Sequence, residues 1–297
     1  MFASSCDEYG DASVLRYREA PDPRPGPGQV RIRMRAAAVN PYDVKVRSGL
    51  MRGVATTDFP YIPGGEAAGV VDEVGGGARA AVGDAVFGLG AAAYAQCVVL
   101  DHYAPKPSGF DWPRAGGTAL AAETALRCLR LVGVERGHTV VVDGASGSVG
   151  SAAVQFAVDA GADVIGTCGS SNADFVRSLG ARPIAYGPGL ERRVGELADR
   201  VDAGIDTTGH GSVAQLLNLT GSKDRVVTIA DFSGEHDVHV TSVPSAFDAL
   251  DRAAALAAEG RYTVRVGRTF RLAEAAEAHR LAEAGGSGGK IVLTNDQ

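Results

Sequence analysis

The chain is poor in cysteine and carries little excess charge, and both shortages exclude classes of function. Its four cysteines, Cys6, Cys97, Cys128 and Cys168, are scattered, with no CxxC and no close Cys/His pairing. That pattern argues against a disulfide framework and reads as four reduced thiols. His236 and His239 stand three apart in a predicted strand, where alternation sends them to opposite faces and makes them a poor metal pair. A net charge of -6 supplies no basic face, so no nucleic-acid partner is expected. No stretch approaches the roughly eighteen uninterrupted apolar residues that span a bilayer, so no membrane partner is expected either. The N-terminal MFASSCDEYGD meets acidic residues at once and lacks the basic start and apolar core of a signal peptide, which makes a cytoplasmic location the expectation. No internal repeat or low-complexity segment occurs. What remains is an ordinary globular composition, 45% hydrophobic and 22% charged, in 297 residues, enough for two domains that each bury a core.

The most informative segment present is Val140–Gly150, VVVDGASGSVG, an apolar run that ends in a glycine-rich loop. Val149, Ala152, Ala153, Phe156, Ala157 and Ala160 then recur at helical spacing, and Asp163–Thr167 reads as a second strand. A strand that delivers a tight loop to a helix N-terminus aims backbone N–H groups and the positive end of the helix dipole at an anion. In the dinucleotide fingerprint the first glycine position is filled by Ala145, while Gly147 and Gly150 hold the second and third. Ser146, Ser148 and Val149 complete the loop, and a dinucleotide pyrophosphate is its expected ligand.

The first part of the chain reads as β: Val14–Arg18, Gln29–Ala38, Ala67–Val74, Ala85–Leu89 and Tyr94–Leu100, with Pro21–Gly28 as a rigid turn. From about Trp112 helices and strands alternate. Ala115–Gly133 is a predicted helix. After the β-α-β unit come a helix at Asp174–Leu179, a strand at Pro183–Tyr186 and a helix at Leu190–Arg200. Strand Ala203–Thr207, helix Ser212–Leu219 and strands Arg225–Ala230 and Val238–Ser242 follow. Such alternation implies a doubly wound parallel sheet, with the loops after Asp143, Thr167, Asp206 and Ala230 lining one site. Helix Phe247–Glu259, a strand near Arg265–Phe270, helix Leu272–Glu283 and strand Lys290–Leu293 close the chain.

Several segments in order resemble the zinc-free quinone oxidoreductase branch of the medium-chain dehydrogenase/reductase superfamily. They are EYG near the start, PGPGQVRIRMRAAAVNPYDVKVRSG (Pro25–Gly49), GGEAAGVVDEVG (Gly64–Gly75), VGDAVFG (Val82–Gly88) and ASGSVG. FVRSLGA (Phe175–Ala181), DTTG (Asp206–Gly209), RTFRLAEAAEAHRLAEAG (Arg268–Gly285) and GKIVL (Gly289–Leu293) continue the match. The resemblance implies an α/β chain: a GroES-like β-rich catalytic domain, residues 1–113 and 244–297, interrupted by a Rossmann NADP-binding domain with a doubly wound parallel sheet, residues 114–243. It also implies a homodimer.

Departures from the zinc-dependent relatives narrow the chemistry. Asn40 stands where they carry the first Cys ligand, and Gly65 where they carry His, leaving Glu66 by itself. The later Cys position falls near Leu120, and the structural four-Cys loop is missing. One carboxylate does not hold zinc, so no metal is expected. Lys45 and Met51 replace two tyrosines found near the nicotinamide in this branch. Asn40 and Lys45 are the catalytic candidates. Asn40 is either an amide donor to a carbonyl oxygen or a turn-stabilising residue before Pro41, and Lys45 either polarises a carbonyl or is a solvated lysine. Glu66 reads as a relic that orients an arginine such as Arg47.

An NAD-selective site usually carries Asp or Glu after its second strand. Here Thr167 leads into Cys168, Gly169, Ser170, Ser171 and Asn172, with no acid, which favours NADP(H). Ser170, Ser171 and Asn172 offer neutral donors, and Tyr186 matches a family position that reaches the 2′-phosphate. Thr124 resembles the family threonine near the nicotinamide, and Thr207, Thr208, Ile229 and Phe232 fall at strand ends where that half of the cofactor passes. The resulting expectation is an NADPH-dependent reductase of a small-molecule quinone or enone. A dedicated biosynthetic enone reductase and a non-catalytic NADPH-binding protein of the same fold stand beside it.

Overall fold

The computed structural model describes residues 1–54, 57–240 and 245–295, and the chain divides into two compact units, Met1–Leu120 with Leu250–Gln297 and Ala121–Ala249. In the first unit β1 (Phe2–Ser5) pairs antiparallel with β2 (Arg16–Glu19). Then come β3 (Val30–Val39), α1 (Pro41–Ser48), β4 (Glu66–Val74), β5 (Ala85–Leu89), β6 (Cys97–Leu100), β7 (His102–Pro105) and α2 (Trp112–Gly116). Helix α3 (Ala119–Leu131) carries the chain into the second unit. There β8 (Thr139–Asp143), α4 (Ser148–Asp159), β9 (Asp163–Thr167), α5 (Ala173–Ser178), β10 (Arg182–Ile184) and α6 (Leu190–Gly195) alternate. They are followed by β11 (Ala203–Asp206), α7 (Val213–Thr220), β12 (Val226–Thr228) and β13 (His239–Val240). Helix α8 (Ala249–Ala258) leads back to the first unit, which ends with β14 (Val266–Arg271), α9 (Ala275–Ala284) and β15 (Lys290–Thr294).

The first unit is organised by a seven-stranded sheet in the order β14-β15-β3-β4-β5-β7, with β6 also on β3. Alternation explains β3: Val30, Ile32 and Met34 are buried while Arg33 is exposed and Arg31 and Arg35 are half-buried. These side chains pack with Val98, Leu100, Leu272, Ala278 and Leu293 in one core. Strand β15 lies antiparallel on β3, pairing Ile291 with Val39, so the C-terminal segment completes the sheet that the N-terminal segment begins.

The second unit holds a six-stranded sheet, β10-β9-β8-β11-β12-β13, in which every pairing is parallel. Val140, Val141 and Val142 are all fully buried because helices cover both faces of a central parallel strand. The fold is therefore α/β, a GroES-like β-rich unit and a Rossmann unit. No helix among the described residues is long and apolar enough to cross a membrane.

Several expectations change. Ala115–Gly133 is two helices, α2 and α3, because Gly116 and Gly117 lie against β3 and Lys290, where a Cβ on Gly116 would stand 2.7 Å from the Ala36 carbonyl. Tyr94–Leu100 is a strand only from Cys97, and Leu190–Arg200 is helical only to Gly195. Val14–Arg18 shifts to Arg16–Glu19, preceded by a short 3-10 turn at Ala12–Val14 with Asp11 as its cap. Of Val238–Ser242, His239–Val240 is strand, and Thr241 and Ser242 lie outside the described residues.

Candidate active site

In the second unit the strand order reverses between β8 and β11, the place where open parallel sheets bind ligands. Asp143 and Asp206, the last residues of these strands, are register partners. The tight turn after β8 is made by Gly144, with φ +82°, one residue before the position the fingerprint gave to Ala145. Ala145 is fully buried, and a Cβ on Gly166 would stand 2.6 Å from its own. Gly150 lets α4 approach the turn, since a Cβ there would stand 2.1 Å from the Gly144 carbonyl oxygen. Gly147 is different. Its φ of -75° suits any residue, and a Cβ would meet only the Gly144 oxygen, at 3.3 Å, with open space otherwise.

Backbone donors surround that space. Within the loop Gly144 N donates to Thr167 Oγ1 at 3.0 Å, Ala145 N to the Thr167 carbonyl at 3.0 Å and Gly147 N to the Gly144 carbonyl at 2.9 Å. The N–H groups of Ser146, Ser148, Val149 and Gly150 have no acceptor among the described residues. Unmet donors at a helix N-terminus, around a glycine whose Cβ would fill the space, fit a phosphate.

Two buried carboxylates that the sequence reading did not single out hold the surrounding loops. Asp143 accepts from Thr167 Oγ1 and, at 2.8 Å, from Thr208 Oγ1. Asp206 accepts from Thr208 N at 2.9 Å, Gly209 N at 3.1 Å, Ser212 Oγ at 3.2 Å and Thr228 Oγ1 at 2.7 Å. Thr207 Oγ1 donates to the Asp143 carbonyl at 2.7 Å. The hydroxyl protons of Thr207 and Thr208 are thus spent inside the protein, tying together the ends of β8, β9, β11 and β12.

The loop after β9 makes a short 3-10 turn at Ser170–Asn172, with Ser170 and Ser171 exposed. Cys168 N donates to the Ile184 carbonyl at 2.9 Å, so this loop and the one carrying Tyr186 leave neighbouring strands side by side. Tyr186 is 65% exposed, and Arg177 is paired with Asp174 at 2.5 Å. Thr124 is buried on α3, Ile229 half-buried and Phe232 exposed beyond β12.

In the first unit Asn40, Glu66 and Leu120 converge, and Lys290 joins them. Asn40 precedes α1, with Pro41 at its first position and the Asp43 carboxylate accepting from Asn40 N at 2.8 Å. The Asn40 side chain is held by two charged groups. Its Oδ1 accepts from Lys290 Nζ at 2.6 Å, and its Nδ2 donates to Glu66 Oε1 at 3.1 Å. Lys290 Nζ lies 2.9 Å from Glu66 Oε1, and Leu120 N donates to Glu66 Oε2 at 2.9 Å. The cation beside Glu66 is therefore Lys290. Arg47, the expected partner, bonds Glu283 and, at 2.6 Å, the Gly10 carbonyl. Lys45 is half-buried on α1 and takes no part in the bonds among Asn40, Glu66 and Lys290 given above. One carboxylate and one amide already bonded to an ammonium do not fit zinc.

A second polar chain runs on from Asp43. Tyr94 OH donates to Asp43 Oδ2 at 3.3 Å and lies 3.1 Å from His279 Nε2. Burial pushes the Asp43 carboxyl up to about 6, opposed by the Asn40 N–H. Burial, then the Arg47 charge, pushes His279 down to about 3. Sequence signals for this cluster existed only as single polar residues inside apolar runs, Lys290 in GKIVL above all.

Residues 26–126 match the alcohol dehydrogenase GroES-like domain, and residues 179–293 match the zinc-binding dehydrogenase domain. A chloroplast envelope quinone oxidoreductase homolog of Arabidopsis thaliana is 36% identical over 61% of this chain and 59% of its own length. A chloroplastic quinone oxidoreductase of Triphysaria versicolor is 30% identical over 99% of this chain and 98% of its own. The chain spans less than two thirds of the length of the first curated relatives it matches. The solved structure of a mycobacterial protein complexed with NADPH superposes with a TM-score of 0.82 at 26% identity, covering 99% of this chain and all of that one. With the sheet order, the glycine loop and the match along its whole length, the chain belongs to the quinone oxidoreductase branch of the medium-chain dehydrogenase/reductase superfamily.

Proposed function

We propose that this chain is an NADPH-dependent oxidoreductase that reduces a quinone or an electron-poor C=C bond without a metal. The observation that carries the reading is the Ser146–Gly150 stretch, with four unmet N–H donors around the open space at Gly147. These groups would hold the pyrophosphate. Ser170, Ser171, Asn172 and Tyr186 would hold the 2′-phosphate, where no carboxylate between Cys168 and Asn172 repels it. A structural relative complexed with NADPH supports that choice of cofactor. The bound dihydronicotinamide supplies hydride. In the first unit Asn40 is the donor for the substrate oxygen on which charge develops, with the Lys290 ammonium on its carbonyl. Its donor set supports metal-free chemistry, since Lys290 already meets both Asn40 and Glu66.

Fluorescence titration with NADPH and NADH, followed by steady-state oxidation against quinones and enones, tests the reading. Neutral donors to a phosphate should favour NADPH by about tenfold to a hundredfold. Equal affinity for NADH overturns the cofactor assignment. Tight NADPH binding with no turnover on any acceptor leaves a non-catalytic binding protein.

A further inference from the structure

Lys290 and Glu66 are 4% and 0% exposed, and their charged ends stand 2.9 Å apart. Stability alone gives little reason for such a pair, because apolar residues of similar volume often serve as well. The geometry around Asn40 gives one. The ammonium donates to Oδ1 and the same carboxylate oxygen that meets the ammonium accepts from Nδ2. A flipped amide would set NH2 against the ammonium and the carbonyl oxygen against the carboxylate, so a single orientation is enforced. Glu66 is fixed in turn by Leu120 N on its other oxygen, and Lys290 by its place at the start of β15.

Counting protons shows what this orientation leaves available. The carboxamide has two N–H groups. One goes to Glu66, and the other has no partner among the described residues. An ammonium on the carbonyl oxygen draws electron density from the amide nitrogen and strengthens the remaining N–H as a donor.

We propose that Lys290 and Glu66 are positioning residues that lock and polarise the Asn40 carboxamide, so that its remaining N–H donates to the carbonyl oxygen of the acceptor. The substrates are then quinones and carbonyl-conjugated alkenes, and isolated alkenes are excluded. This rests on the reductase reading above.

The double variant Glu66→Gln/Lys290→Met removes both charges of the pair together, so neither is left buried without the other. It should bind NADPH with a dissociation constant within about twofold of the unaltered chain, while kcat on the best acceptor falls about tenfold to a hundredfold. The 15N–1H signals of the Asn40 carboxamide, assigned by their loss in Asn40→Ala, should shift and exchange faster with solvent. Unaltered kcat in the folded double variant, or unmoved carboxamide signals, overturns the proposal. Absence of turnover by the unaltered chain removes the reductase reading and this role with it. The carboxamide signals still separate a locked amide from a loose one.

Discussion

Replacing His279 with glutamine should change how the stability of the first unit depends on pH. The imidazole is fully buried, its Nε2 lies 3.1 Å from Tyr94 OH, and its Nδ1 has no partner. Its pKa falls from 6.5 to about 3, so the folded state keeps it neutral while the unfolded chain takes up a proton below pH 6.5. The stability this group contributes is whole above pH 6.5 and is lost at about 1.4 kcal/mol per pH unit as the pH falls toward 3. Asp43, two hydrogen bonds away through Tyr94, works in the opposite sense. Burial raises it from 3.8 to about 6, so its buried charge costs on the order of 3 kcal/mol above pH 6, and the cost disappears as the pH falls to 3.8. Between about pH 6 and 4 the two slopes offset each other. Glutamine at 279 removes one of them, and the stability difference between the unaltered chain and the variant should shrink by on the order of 2 kcal/mol from pH 6.5 to 4.5. Urea unfolding read through the single tryptophan, Trp112, reports on the unit that holds both groups. Parallel stability curves would show that His279 titrates normally in the fold and refute the reasoning.

Further outcomes follow from the site. Gly147→Val puts a side chain into the space the unmet N–H groups surround, so NADPH binding should be lost with near-native circular dichroism, and retained affinity would place the dinucleotide elsewhere. Ser171→Arg adds a charge to the exposed loop after β9 and should sharpen the preference for NADPH over NADH in fluorescence titration. Asn40→Ala should lower kcat by about two to three decades, the roughly 2.7–4 kcal/mol typical of one oxyanion donor, with NADPH affinity unchanged.

The second unit was legible because its signals are local. An apolar run with a glycine loop and a helical stripe identifies β8 and α4 within twenty residues, and β9 matches the reading residue for residue, Asp163–Thr167. Errors fell where long-range packing decides. The break between α2 and α3 answers to β3, and the short β1 and β7 answer to strands they pair with, none of which periodicity records. The same applies to the polar cluster. Asn40 and Glu66 stood out by comparison with zinc-dependent relatives, but the cation that meets them lies 250 positions from Asn40, and only the closure of β15 on β3 brings it there. Likewise Asp143 and Asp206 read as strand ends, and their work in tying loops together became visible with the hydrogen bonds of Thr167, Thr208 and Thr228.

Single-turnover oxidation of NADPH bound to the protein tests the proposed metal-free reduction most directly. The complex is formed in chelator-treated buffer and mixed with excess quinone or carbonyl-conjugated alkene, and the nicotinamide absorbance is followed. The expected result is oxidation of the bound NADPH at a rate that saturates with acceptor and is indifferent to chelator and to added zinc. Bound NADPH that survives every acceptor, or oxidation that begins only when zinc is supplied, would contradict it.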